Sequence, residues 1–102
     1  MIITEEIKQI IRETAFLSLI TLNPDGTPHP IIAGKGEVSG DSIEFGIYKM
    51  EKTQANLGNN KNAWVVGATL TEGKPKGIRL IGTAAAQDKK LIFSPAKAEP
   101  LL

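Results

Sequence analysis

Four stretches of this chain keep any regular element from running long. They are Asn23-Pro24-Asp25-Gly26, Ser39-Gly40-Asp41, the loop Glu72-Gly73-Lys74-Pro75-Lys76-Gly77 and Asp88-Lys89-Lys90. Proline presets φ, glycine admits positive φ, and Asn or Asp bonds its own backbone. Between these stops lie short apolar runs. A chain punctuated this way pairs neighbouring runs antiparallel, as a barrel or sandwich.

The runs themselves read as six strands. AFLSLITL, residues 15–22, is too short and β-rich for a helix. Its alternation puts Leu17, Leu19 and Thr21 on one face and Phe16, Ser18, Ile20 and Leu22 on the other. The second strand is Pro30–Val38, with Pro28 and Pro30 around His29 marking an edge or bulge, and Gly34 and Gly36 marking a bulge or a close approach. Ser42–Tyr48, Ala63–Thr71, Ile78–Ala86 and Leu91–Ser94 follow. Ala84–Ala86 leave space on one side of the fifth strand. Pro95 is expected to end the ladder, with AKAEPLL running out extended. Ahead of the strands, residues 4–14 form an amphipathic helix capped by Thr4. Its face of Ile7, Ile10, Ile11 and Ala15 covers one mouth of a barrel. The fold class is therefore mainly β: a six-stranded antiparallel β-barrel with two short helices, residues 1–102 forming one domain.

The second helix is the only internal one. YKMEKTQANLGNNKN, Tyr48–Asn62, sits between two strand-like runs, with Leu57 ending its pattern and Gly58 closing it in the left-handed conformation. Lys49, Lys52 and Thr53 cluster where it begins. The first N–H groups of a helix lack internal partners and carry partial positive charge, so a lysine and a hydroxyl beside them make a seat for a phosphate. The same spacing suits an ordinary crossover helix with solvated lysines, and spacing does not separate the two.

Composition narrows the chemistry. Lys+Arg number 12 against Asp+Glu 11, a net charge of +1, which gives no pull toward nucleic acid or an anionic membrane. The absence of cysteine excludes disulfides, thiolate catalysis and cysteine metal sites. It also fits a reducing cytoplasm. No apolar run approaches the ~20 residues that cross a bilayer, and the charged start MIITEEIKQIIRE is not a signal peptide, so a soluble cytoplasmic protein is expected. His29 is the lone histidine, which leaves no triad and no metal-ligand spacing; a structural or exposed role is expected for it. No residue reads as catalytic. Phe16, Phe45 and Phe93 read as core. Tyr48 and Trp64 flank the second helix, and Trp64 is expected to pack beneath it. A barrel of 102 residues buries a modest core, so a homodimer is expected.

The order of helix, strand, a turn with PHP, hairpin, KMEKTQANL, a strand with GTAAA and a tail with AE resembles the FMN-binding split-barrel family. This is the superfamily of pyridoxamine 5′-phosphate oxidase and the flavin reductases. The chain is most similar to the small FMN-binding proteins of sulfate-reducing bacteria. The resemblance spans nearly the whole chain, and Met50–Leu57 is its most specific part. It implies a split barrel that binds FMN at a dimer interface and serves redox chemistry, by electron transfer or by reduction or oxidation of a small molecule. It implies that Lys52 and Thr53 hold the phosphate, with Lys49 adding charge and Asn56 orienting the turn or bonding the ribityl chain. Ile32, Ala33 and Gly34 would line the phosphate and ring, and Gly46–Lys49, including Ile47 and Tyr48, would offer backbone groups to the ring edge. The chain departs from the family on strand two, where Ile31, Ile32 and Ala33 replace polar side chains. It departs again where Asp88-Lys89-Lys90 replaces a helix between the last two strands. The missing helix favours one alternative, a flavin-free barrel serving binding or dimerisation; a barrel for another phosphate-bearing cofactor is a further alternative.

Overall fold

The computed structural model describes residues 1–101. Its core is one antiparallel sheet of seven strands, in the order β2-β1-β5-β6-β7-β4-β3. Helix α1 (Glu5–Glu13) is followed by β1 (Leu17–Leu22), β2 (Pro28–Gly34), β3 (Glu37–Ser39) and β4 (Ser42–Gly46). Helix α2 (Glu51–Asn59) then crosses to β5 (Asn62–Thr71), β6 (Lys74–Gln87) and β7 (Lys90–Pro100). The turn signals act as expected. Asn23–Thr27 closes on itself through Asn23 N–H to the Thr27 carbonyl, with Gly26 at φ 87°, and Gly40 turns at φ 60°.

Seven strands stand where six are expected, and Gly34 is the reason. Its φ of 92° ends β2, and the chain resumes as β3, which pairs with β4 instead of β1. The long loop expected at 72–77 is a two-residue hairpin turn. Glu72 and Gly73 both take positive φ, and Lys74 already pairs with Thr71. Pro95 does not end the last strand. It lies at a β-bulge, where the register slips between Ile81 and Gly82, and β7 runs on to Pro100.

The inward alternation of β1 is as read: Leu17, Leu19 and Thr21 are all fully buried. They meet Ile43, Phe45, Val65, Leu80, Leu91 and Phe93 in one core, capped by Ile7, Ile10 and Ile11 of α1. Thr4 caps α1 through its hydroxyl, which accepts from Ile7 N–H at 3.3 Å. Ala15 lies past the end of the helix and is exposed. Phe16 is not core; it is 70% exposed, because Leu17 takes the inward place.

The outer face carries its own apolar rows. Register aligns Pro30, Ile20, Trp64 and Ile81 across β2, β1, β5 and β6. The next row is Ile32, Ser18, Val66 and Arg79. Trp64 therefore points away from the core that holds Ala63 and Val65, and does not lie beneath α2 as expected. Phe16, Ile32 and Leu70 add large exposed side chains on the same alternation.

The N-terminal segment is tied to the β3–β4 turn. The Asp41 carboxylate accepts from Ile3 N–H at 2.8 Å and Ile2 N–H at 3.0 Å. These two bonds, Ile3 first, hold the Asp41 carboxyl below its ordinary value near 3.8. A depressed folded-state pKa stabilises above the unfolded value and loses that contribution as pH falls through the folded one. Protection of the Ile2 and Ile3 amides in hydrogen exchange is therefore expected to hold from neutral pH through the ordinary carboxylate range and to be lost only at more acidic pH. Asp41→Asn should show the low-pH behaviour at every pH.

Candidate functional site

Helix α2 starts without a side-chain cap. Its N-cap, Met50, has φ 40°, and Lys49 before it has φ 66°. Two consecutive non-glycine residues in the left-handed region cost about 1–2 kcal/mol each. The Gln54 side-chain amide donates to the Lys49 carbonyl at 3.2 Å and pins the kink. The first helical bond runs from Gln54 N–H to the Met50 carbonyl at 2.9 Å, so the N–H groups of Glu51, Lys52 and Thr53 have no acceptor within the helix.

Thr53 is 1% exposed, and its hydroxyl makes no hydrogen bond within the chain. Thr53 nevertheless lines the cleft beside this helix start. The cleft has a volume of about 340 Å³ and lies between the edge strand β2 and the start of α2. His29, Ile31 and Ile32 form one wall; Tyr48, Met50, Glu51, Lys52 and Thr53 form the other. Three free N–H groups, a hydroxyl and an ammonium are a donor set that fits a phosphate. Glu51 lies in the same turn and is solvent-exposed, which lowers the local positive potential. An anion placed there would be held through N–H groups more than through net charge. Asp25 in the facing turn is held below its ordinary value chiefly by the Thr27 hydroxyl, with the Lys52 charge the smallest contributor.

The expected site residues divide. Ile32, Tyr48, Lys52 and Thr53 line the cleft together. The Lys49 ammonium sits 5.8 Å from the centre of the Tyr48 ring. Asn56 is 2% exposed and is spent on structure: its side-chain amide donates to the Thr21 hydroxyl and the Asn23 side-chain oxygen, both at 3.1 Å. It ties α2 to β1 and to the Asn23–Thr27 turn, and its side-chain amide has no N–H left for a ligand. Ala33 packs against the core, and Gly34 makes the bend after it. Ile47 also packs on the core, and its N–H is taken by the Lys89 carbonyl at 3.0 Å, so it has none to offer a ring edge. Gly58 does not close the helix; it lies inside α2, and Asn60 ends it in an extended conformation. His29, Ile31, Met50 and Glu51 also line the cleft, although none of them is among the expected site residues. Counting back by two from Ile31 would have found His29, since both pair with inward residues of β1.

The fold and the cleft define a class: a split barrel with an uncapped helix start beside an edge strand. Solved structures share that fold. An FMN-binding protein from Syntrophomonas wolfei subsp. wolfei is 17% identical, with a TM-score of 0.76 over 93% of this chain and 83% of that one. A putative pyridoxamine 5′-phosphate oxidase from Listeria innocua is 13% identical, with a TM-score of 0.76 over 95% and 96%. A heme-binding protein from Mycobacterium smegmatis is 14% identical, with a TM-score of 0.79 over 95% of this chain and 52% of that one. No protein-family model matches the sequence, and no curated protein is similar to it. At these identities the likeness is one of fold. Among the described residues no helix is long and apolar enough to cross a membrane, and no group of acidic or histidine side chains is placed to hold a metal.

Proposed function

We propose that the chain is a flavoprotein that holds FMN by its phosphate at the start of α2, between two copies of itself. The observation that carries this is the uncapped turn at 50–53: three N–H groups without a partner in the helix belong to Glu51, Lys52 and Thr53, which all line one cleft. Lys49, drawn to Tyr48, adds charge at the rim. Ile32 and Tyr48 give apolar contact to the ring, with Ala33 and Gly34 shaping the strand behind. When bound, the flavin supplies reversible uptake of one or two electrons. The protein's part is to bind, orient and shield it, and its redox partner is a small molecule or another electron carrier.

A cleft of about 340 Å³ is at the small end for a cofactor site and open on one side. Ile32 belongs both to the cleft and to the outer apolar row, so a second copy packed on that row would complete the missing wall. Phe16, Ile20, Trp64 and Val66 are the buried centre of such a homodimer, and the Arg79–Glu99 ion pair at 2.9 Å lies at its edge. Lys52→Ala is expected to weaken FMN by about 1.5–3 kcal/mol, the range for a hydrogen bond to a charged group. Fluorescence titration of FMN measures it, and unchanged affinity removes Lys52 from the seat. Hemin is the competing ligand to test beside FMN, because His29 lies in the cleft wall. A Soret shift abolished by His29→Ala, with no FMN binding, would replace this reading.

A further inference from the structure

A roomier cleft than the one beside α2 lies elsewhere on the chain. A groove of about 590 Å³ lies between α1 and residues 35–38, and nothing above assigns it a ligand. Lys8 and Arg12 stand one turn apart on α1 and face Lys35 and Glu37, while Ile11 and Val38 give it an apolar floor. Among the described residues the ion pairs are Arg79–Glu99, Lys90–Glu44 and Lys97–Glu99. None of the groove's three cations takes part in one.

The groove is built by Gly36. A Cβ at that position would lie 2.6 Å from Ile43 Cγ2 and 2.9 Å from Leu17 Cδ1. Both are core side chains that cannot retreat, so only glycine lets the segment lie flat on the core. Alternation along that segment then leaves Lys35 and Glu37 on the rim. Three unpaired ammonium and guanidinium groups above an apolar floor favour an anion with an apolar body. Glu5, Glu6 and Glu13 on the other side of α1 border Lys8 and Arg12 too, and they oppose a long polyanion such as nucleic acid.

We propose that this groove binds a small organic anion, a carboxylate or phosphate on an apolar body, at a site separate from the α2 turn. The full chain, labelled with ¹⁵N, is titrated with 2-naphthoate and, separately, with inorganic phosphate. The amides of residues 8–12 and 35–38 are expected to shift saturably at millimolar 2-naphthoate or below, and less with phosphate, which lacks the apolar body. Lys8→Ala/Lys35→Ala is expected to weaken 2-naphthoate at least about tenfold, since each cation contributes a charge-assisted bond. Lys52→Ala should leave 2-naphthoate unchanged, so failure here is distinguishable from failure of the flavin seat. No saturable shift, shifts confined to residues 51–53, or equal affinity in the double variant would each overturn the proposal.

Discussion

Gly82→Ala is expected to destabilise the chain by about 3 kcal/mol or more, at the top of the range for forcing volume into a packed site. The reason is local and severe. At Gly82 the sheet slips register, and β7 crosses so close that an added Cβ would overlap the Ser94 carbonyl oxygen and lie 2.8 Å from Pro95 Cα. Both are backbone atoms, and their ladder bonds leave no direction in which to yield. A domain of this size has a total stability of roughly 5–15 kcal/mol, so the loss is a large share. Gly58→Ala is the matched control. It lies inside α2 at an ordinary helical φ, with nothing within 4 Å of the new Cβ. It is expected to gain about 0.5–1 kcal/mol from restricted unfolded-chain freedom. Urea midpoints at constant slope report both. A Gly82→Ala variant within half a kcal/mol of the parent contradicts the bulge geometry.

Asn56→Ala carries the second large effect. It removes one buried and one part-buried hydrogen bond, worth about 1 kcal/mol each, and leaves the fully buried Thr21 hydroxyl without a partner, worth about 1–3 kcal/mol more. The expected loss is about 3–5 kcal/mol. Asn56 is also the bolt between α2 and the Asn23–Thr27 turn, so the variant should weaken any ligand at the helix start along with the fold. Double substitution with Thr21→Val removes the orphaned hydroxyl and should recover part of the stability but not the ligand affinity. Equal stability of Asn56→Ala and the parent would place the helix under other control.

The turns were legible because their chemistry is local: Asn-Pro-Asp-Gly and Ser-Gly-Asp fix their own dihedrals wherever they occur. So was the inward alternation of β1, and so was the cap of α1. What the sequence did not show depends on partners distant in the chain. Gly34 reads as a bulge until β3 is seen to pair with β4, and Pro95 reads as a stop until Gly82 is seen to make room for its bulge. Phe16 looks like core by composition; only its place beside the buried Leu17 turns it outward. That Lys52 and Thr53 stand at the start of α2, in the cleft wall, is legible because a helix start announces free N–H groups. Asn56 was assigned two roles because its partners, Thr21 and Asn23, lie more than thirty residues away. The pair of left-handed residues Lys49 and Met50 has no signal in residue type at all, since neither is glycine or asparagine.

The most direct measurement compares FMN with riboflavin, two ligands that share ring and ribityl chain and differ by the phosphate. If the free amides of 51–53, Thr53 and Lys52 hold the anionic end, two or more charge-assisted bonds vanish with it, and FMN should bind at least about 100-fold more tightly. Affinities for the two within about threefold of each other would mean that the turn at the start of α2 holds no phosphate, and would contradict the account.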